Sequence, residues 1–199
     1  MNLPEACLFD LDGVLLDTEK LHGEAWSKTA ANYGTELNKE QLIFLKGRRR
    51  LECAEQIIKW INKPVGIEDF LNQHKPIYMG LMQKAKAMSG AENLVNWCVE
   101  NNLPMAIVTS STSSSVHFKS APHYWLKQIK IRVNGDDISL INGKPAPDPF
   151  LLAASKLGAN PSNCWAVEDS NAGIKSALEA GCRVWILNNP SFKSIINIS

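Results

Sequence analysis

Five short apolar runs separated by amphipathic stretches of helical period constrain the fold of this chain more than any other feature of its sequence. The runs cover residues 6–9, 104–109, 129–133, 164–167 and 183–187. Helical patterns fill residues 91–101, 148–157 and 172–180, and Gly181 stands where a glycine just past a helix end is expected. Strands alternating with helices predict a parallel sheet covered by helices on both faces, an α/β fold. From Thr18 onward the pattern is helical, with apolar positions at Leu21, Ala25 and Trp26, then Leu42 and Leu45, then Ala54, Ile57, Ile58 and Ile61. Pro64 and Gly66 interrupt it once, and a further helix is expected from Ile67 to about Lys86. An all-helical insertion after the first strand follows. SSTSSS at residues 110–115 comes directly after a strand and reads as a loop of hydroxyl donors.

In an open parallel sheet, ligands gather at the carboxyl ends of the strands. Polar residues fall there repeatedly. The first strand runs into Asp10 and Asp12, MAIVTSS into Thr109 and Ser110, and CWAVEDS into Glu168 and Asp169. Lys144, in GKPAPDPF, precedes a helix whose start is marked by Pro147, Asp148 and Pro149. Asp10 and Asp12 begin on one face of their strand, and a turn at Gly13 re-aims the second. Two acids so placed repel and lose hydration, a cost commonly offset by a cation or by chemistry. A helix cap or Asx turn is the competing reading of Asp residues beside a glycine.

Taken together, the set suits phosphoryl transfer from a monoester. Such a reaction needs a carboxylate nucleophile, a hard cation and donors for the equatorial oxygens. Asp10 is the candidate nucleophile and Asp12 the candidate proton carrier. Thr109 and Lys144 are candidate phosphate holders, and Glu168 with Asp169 would complete an oxygen site for Mg2+.

Composition narrows the alternatives. The 21 Lys and Arg against 20 Asp and Glu leave a net charge of +1, which argues against a broad nucleic-acid footprint. The single tight basic cluster is Arg48, Arg49 and Arg50. Cys7, Cys53, Cys98, Cys164 and Cys182 are scattered, odd in number and without a CxxC spacing, which points to buried thiols in a reducing compartment. Acids precede any base at the N-terminus, unlike a signal peptide, and no apolar run approaches membrane length. A cytoplasmic protein that binds neither nucleic acid nor membrane is expected. The sequence sets no oligomeric state, and a monomer is compatible with it.

DLDGVLLDT, VTSS, GKPAPDPF and VEDSNAG, in that order, resemble the four motifs of the haloacid-dehalogenase-like hydrolase superfamily, and more narrowly its β-phosphoglucomutase and sugar-phosphate phosphatase branch. The resemblance implies that Asp10 is the nucleophile, Asp12 the acid/base, Thr109 the motif-two hydroxyl and Lys144 the motif-three lysine. It implies that Asp10, the Asp12 carbonyl, Glu168 and Asp169 hold the metal. Backbone N–H groups at Leu11 and Asp12 and the Ser110 side chain would be further phosphate donors. It also implies a Rossmann-like core of residues 1–17 and 87–199, with a helical cap at 18–86.

The substrate question falls on that cap. LKGRRRLE, residues 45–52, resembles the loop with which the mutase branch presents an arginine to the phosphate ester. Gap-free matching places Arg50 there with Lys46 and Gly47 beside it, although consecutive arginines at a helix start also make an ordinary solvated face. His22 sits where the mutase carries a histidine, and a surface role is the alternative. Trp26, Trp60 and Trp97 fall at helical spacing among aliphatic residues and read as core.

Departures from the mutase favour a phosphatase. HFKSAPHYWLKQIKIRVNGDD, residues 117–137, looks more like small-metabolite phosphatases of the branch, and Lys75 lies one position from the mutase's second cap contact. The sequence stops soon after Leu187, where family members usually continue, and an exposed edge or apolar face is the expected consequence. The leading expectation is a magnesium-dependent phosphatase of a small phosphorylated sugar, polyol or nucleoside, acting through an aspartyl-phosphate. The alternatives are a phosphomutase and a non-catalytic phosphate-binding regulator.

Overall fold

The structure, a computed structural model, describes residues 3–187. Strand β1 (Ala6–Phe9) leads through a short β2 (Leu16–Asp17) into four helices, α1 (Glu19–Ala31), α2 (Lys39–Leu45), α3 (Arg50–Trp60) and α4 (Ile67–Met82). The chain returns through β3 (Lys86–Ala87) and then alternates: α5 (Ala91–Glu100), β4 (Met105–Val108), α6 (Ser113–Ser120), β5 (Ile131–Val133), α7 (Asp148–Leu157), β6 (Cys164–Glu168), α8 (Asn171–Glu179) and β7 (Arg183–Ile186). Single 3-10 turns at Tyr124–Gln128 and Pro161–Asn163 complete the path.

Five strands form one parallel sheet in the order β5-β4-β1-β6-β7. Strands β1, β4 and β6 are buried throughout, so their side chains are apolar on both faces rather than alternating with polar ones. The period of two sorts them into two cores. Cys7, Phe9, Met105, Ile107, Trp165 and Val167 face α5, through Leu94, Val95 and Cys98. Ala6, Leu8, Ala106, Val108, Cys164 and Ala166 face α7 and α8, through Phe150, Ala153, Ala154 and Ala177. All five cysteines are free and buried, as the scattered spacing predicts.

The helices α1–α4 enclose a core of their own, in which Trp26, Ala30, Leu45, Ala54, Ile57, Ile61 and Phe70 meet. Asn38 opens α2 with a reciprocal capping box to Gln41. Trp26 is buried there, while Trp60 and Trp97 are half-buried against their clusters. The two-stranded antiparallel ribbon of β2 and β3 brackets these helices, with Leu16 opposite Ala87.

Two expectations need correction. Helix α4 ends at Met82 instead of about Lys86, because Lys86 and Ala87 are drawn into the ribbon with Leu16 and Asp17. SSTSSS is not wholly a loop: Thr112 caps α6 by accepting from the Ser115 N–H, and residues from Ser113 onward are helical. Serine and threonine are poor mid-helix residues but favoured at the first turn, so a hydroxyl-rich run marks a helix start as readily as a loop. Gly181 does take a left-handed φ of 87° just beyond α8. No helix among the described residues is long and apolar enough to cross a membrane. The expectation about the chain after Leu187 lies outside the described residues.

Phe150 is fully buried beneath the sheet, so Phe150→Ala is expected to cost about 3–5 kcal/mol in urea unfolding. Phe44→Ala, on exposed α2 under the Arg48 guanidinium, is expected to cost less than about 1 kcal/mol. Equal costs would contradict the placement of the cores.

Candidate active site

Three strand ends converge on one buried cation. Asp10 follows β1, and its N–H donates to the Val167 carbonyl at 3.1 Å. Lys144, in the loop before α7, is 2% exposed and donates to Asp10 Oδ1 at 2.7 Å, to the Val108 carbonyl at 2.8 Å and to Glu168 Oε1. Its ammonium thereby ties β1, β4 and β6 together. Burial pulls the lysine down, but the two carboxylates outweigh it and push its pKa up. Burial raises Asp10 to about 7 against the opposing pull of Lys144, with Glu168 and Asp12 adding to the rise. Glu168 also accepts from the Ser170 hydroxyl at 3.2 Å and the Asp169 N–H at 3.2 Å. Ser170 in turn caps α8 through the Gly173 N–H.

Asp10, Glu168 and Asp169 form the acidic cluster that geometry allows to hold a metal, each offering an oxygen within 4.8 Å of the others. Two observations fit a hard cation there. Asp169 Oδ1 is buried without a hydrogen-bond partner, and burial followed by the Asp10 charge raises Asp169 to about 6. A carboxylate-rich set of this kind suits an oxygen-seeking divalent ion. The Lys46 ammonium now offsets part of that charge, 2.7 Å from Asp169 Oδ2. Gly13, at φ 83°, turns the chain beside it, and a Cβ there would overlap the Asp169 carboxylate.

That turn re-aims Asp12, as expected, into a different set of partners. Its Oδ1 accepts from Thr18 Oγ1 at 2.5 Å and lies 3.0 Å from His22 Nε2. Its Oδ2 accepts from Ser111 Oγ at 2.8 Å, and Lys119 Nζ reaches both oxygens at 2.6 Å. Burial alone would raise this acid, but Lys119 and then His22 hold it well below the usual carboxylate range.

A cavity of about 680 Å³ opens over these groups. Asp10, Asp12, Thr109 and Ser110 line it from the sheet side, and His22, Lys46, Gly47 and Arg50 from the helices. Eight of the sequence-predicted residues thus share one space, while Leu11, Lys144, Glu168 and Asp169 do not line it. Thr109 is buried at the end of β4 and accepts from the Ser111 N–H at 3.1 Å. The Ser110 hydroxyl donates to the Gly47 carbonyl at 2.7 Å, a contact between the loop after β4 and the turn between α2 and α3. Leu11 buries its side chain in the core, and its carbonyl accepts from the Leu15 and Leu16 N–H groups at 3.0 and 2.9 Å. Arg50 begins α3 and is exposed at the cavity edge.

Sequence reasoning missed Lys119, Thr18, the Ser111 side chain and Glu19. Lys119 lay in a segment without a strong apolar stripe, and its inward direction follows only once α6 is known to place it with Val116 on the buried face. Glu19 is half-buried near Asp169, and its partial burial followed by that charge raises it above the ordinary range.

The sequence profile described as haloacid dehalogenase-like hydrolase matches residues 7–187. The chain belongs to that family. It is 35% identical over 188 residues to a probable pseudouridine-5'-phosphatase of Drosophila melanogaster, covering 92% of this chain and 81% of the relative. It is 29% identical over 183 residues to the bifunctional riboflavin kinase/FMN phosphatase of Arabidopsis thaliana, matching 92% of this chain but spanning only 48% of that longer protein. A β-phosphoglucomutase from Clostridium difficile superposes with a TM-score of 0.81 at 23% identity, covering 98% of this chain and 96% of the other, which establishes the shared fold.

Gly173 lies against the Glu168 carboxylate so closely that a Cβ would overlap it, whereas Gly80 in α4 has open space. Gly173→Ala is expected to destabilise by about 1–3 kcal/mol, and Gly80→Ala to stabilise by up to about 1 kcal/mol. Matching urea midpoints for the two would contradict the packing. Because the folded acids hold protons up to about 7 and about 6, divalent-ion binding at pH 6.5 is expected to release protons. Titration calorimetry in buffers of different ionisation enthalpy reads this as a heat that changes with buffer.

Proposed function

We propose that this family member is a magnesium-dependent phosphatase that hydrolyses a small phosphorylated metabolite through an aspartyl-phosphate, an acyl phosphate formed on Asp10. The observation that carries the reading is the buried Asp10 carboxylate, facing the cavity and held by Lys144 beside the Glu168 and Asp169 acids. Asp10 Oδ forms a bond to phosphorus as the ester P–O bond breaks; Asp12, which its present partners hold ionised, takes up a proton from solvent as substrate binds and gives it to the departing alkoxide. The Asp12 carboxylate then takes a proton from the water that attacks phosphorus, and Asp10 is restored. Thr109 and the N–H groups of Leu11 and Asp12 would hold the phosphoryl oxygens, joined by the Ser110 hydroxyl once it releases the Gly47 carbonyl and by the Lys144 ammonium once it gives up one of its three present acceptors. Asp10, the Asp12 carbonyl, Glu168 and Asp169 would hold a magnesium ion, which when bound would supply charge against the phosphate dianion.

In this reading residues 18–86 are a cap over a core of 1–17 and 87–199. The contacts of Ser110 with Gly47 and of Lys46 with Asp169 support it, since they cross from one part to the other. The cavity holds more than a phosphate group, and His22, Lys46, Gly47 and Arg50 on its helical side are the residues assigned to the remainder of the substrate. A sugar, polyol or nucleoside monophosphate is the class that fits, in keeping with the named substrates of the relatives.

A panel of sugar, polyol and nucleoside monophosphates with magnesium tests this. Phosphate release is expected from at least one, with Asp10→Asn lowering it at least a thousandfold, on the order of a lost nucleophile. Isomerised ester in place of free phosphate would establish a mutase, and a folded protein that turns over nothing would leave only phosphate binding.

A further inference from the structure

Lys119 is the one fully buried cation in the site that the motifs do not include. Its side chain is 0% exposed, and its ammonium donates to Asp12 Oδ1, Asp12 Oδ2 and Ser111 Oγ at 2.6, 2.6 and 2.9 Å. These three contacts match the three protons of an ammonium group, so the group has no donor left over. It does not line the cavity, whereas Asp12 and Ser111 do.

The Asp12 carboxylate is gripped from two sides. Thr18 and His22 stand at the start of the helical insertion, Ser111 on the connection after β4 and Lys119 in the last turn of α6. Helix α6 is itself seated on both parts of the molecule. Val116 joins the sheet core, Phe118 packs on the cluster of Ala25, Tyr78, Leu81 and Met82, and Ser115 hydrogen-bonds Tyr78 Oη. A residue at this position sets the direction of a carboxylate without meeting the substrate. Burying an ammonium costs several kcal/mol unless it is fully paired, so the lysine and its partner hold one geometry.

We propose that Lys119, with Ser111, is a positioning residue that aims the Asp12 carboxyl at the ester oxygen, so that it serves the departure of poor leaving groups. The proposal rests on the phosphatase reading of Asp10 and Asp12. Proton delivery matters when an alkoxide leaves and little when a stable phenolate leaves, which separates aiming from general support of the fold.

The test is a single-turnover measurement with enzyme in excess of ester, reading release of the alcohol or phenol. One ester is the alkyl phosphate turned over fastest in the metabolite panel; the other is p-nitrophenyl phosphate. Lys119→Met is expected to slow alkyl release by about a hundredfold or more while p-nitrophenol release stays within about threefold. Ser111→Ala, which removes one small hydroxyl, is expected to slow alkyl release selectively by a smaller factor and keeps the test available if the lysine variant fails to fold. Adding Lys119→Met to Asp12→Asn is expected to cost nothing further on the alkyl ester, because both act through one carboxyl. Equal fractional losses on the two esters, or losses that multiply in the double variant, would overturn the positioning role and leave the phosphatase reading standing. No leaving-group release from either ester by the unaltered protein would overturn both.

Discussion

A single buried ammonium decides how this sheet can be used. Parallel strands β1 and β6 lie side by side, so the residues just past or at their ends, Asp10 and Glu168, bring two largely buried carboxylates close together, with Asp10 at the floor of the cavity. Without a cation such a pair repels strongly in a low-dielectric setting. Lys144 meets both and also takes the last carbonyl of β4, which fixes three adjacent strand ends relative to one another. The arrangement gives Asp10 a defined direction into the cavity. It also leaves Asp169, whose Oδ1 has no partner, as the place where further positive charge is most favoured.

The second carboxylate of the DLDG run serves a different purpose because Gly13 turns the chain between them. Asp10 stays among acids and is raised by burial, whereas Asp12 is surrounded by Lys119, His22, Ser111 and Thr18 and is lowered. Two acids two residues apart are thus separated by environment, but in this state the order runs against their assigned roles, so turnover requires a cation to ionise Asp10 and a rearrangement of donors to let Asp12 carry a proton. Polar contacts between the helical insertion and the sheet side include Ser110 to Gly47, Lys46 to Asp169, His22 to Asp12 and Tyr78 to Ser115, and Phe118 adds an apolar one against Ala25, Tyr78, Leu81 and Met82.

Much of this was legible in the sequence, for identifiable reasons. Strands buried on both faces read as apolar runs, and a carboxylate at a strand end interrupts such a run visibly, so Asp10, Glu168 and Asp169 could be found from one chain. Lys144 and Thr109 stood at comparable boundaries. Lys119 did not, because a buried lysine on a short, weakly amphipathic helix has the same local signature as an exposed one. Its partner lies 107 positions away. The end of α4 was misjudged for a related reason, since Lys86 belongs to a ribbon whose other strand precedes the whole helical insertion. Pairings across such separations leave no local pattern to read.

The measurement that bears most directly on the phosphatase reading is chemical trapping of the phosphorylated enzyme. Borohydride reduces an acyl phosphate to an alcohol, so quenching the protein during turnover with magnesium and substrate, followed by peptide mass spectrometry, reports which carboxyl carried the phosphoryl group. The account predicts homoserine in place of aspartate at position 10 and at no other acid. Turnover with position 10 unmodified, or with the reduced residue at Asp12 or Asp169, would contradict it.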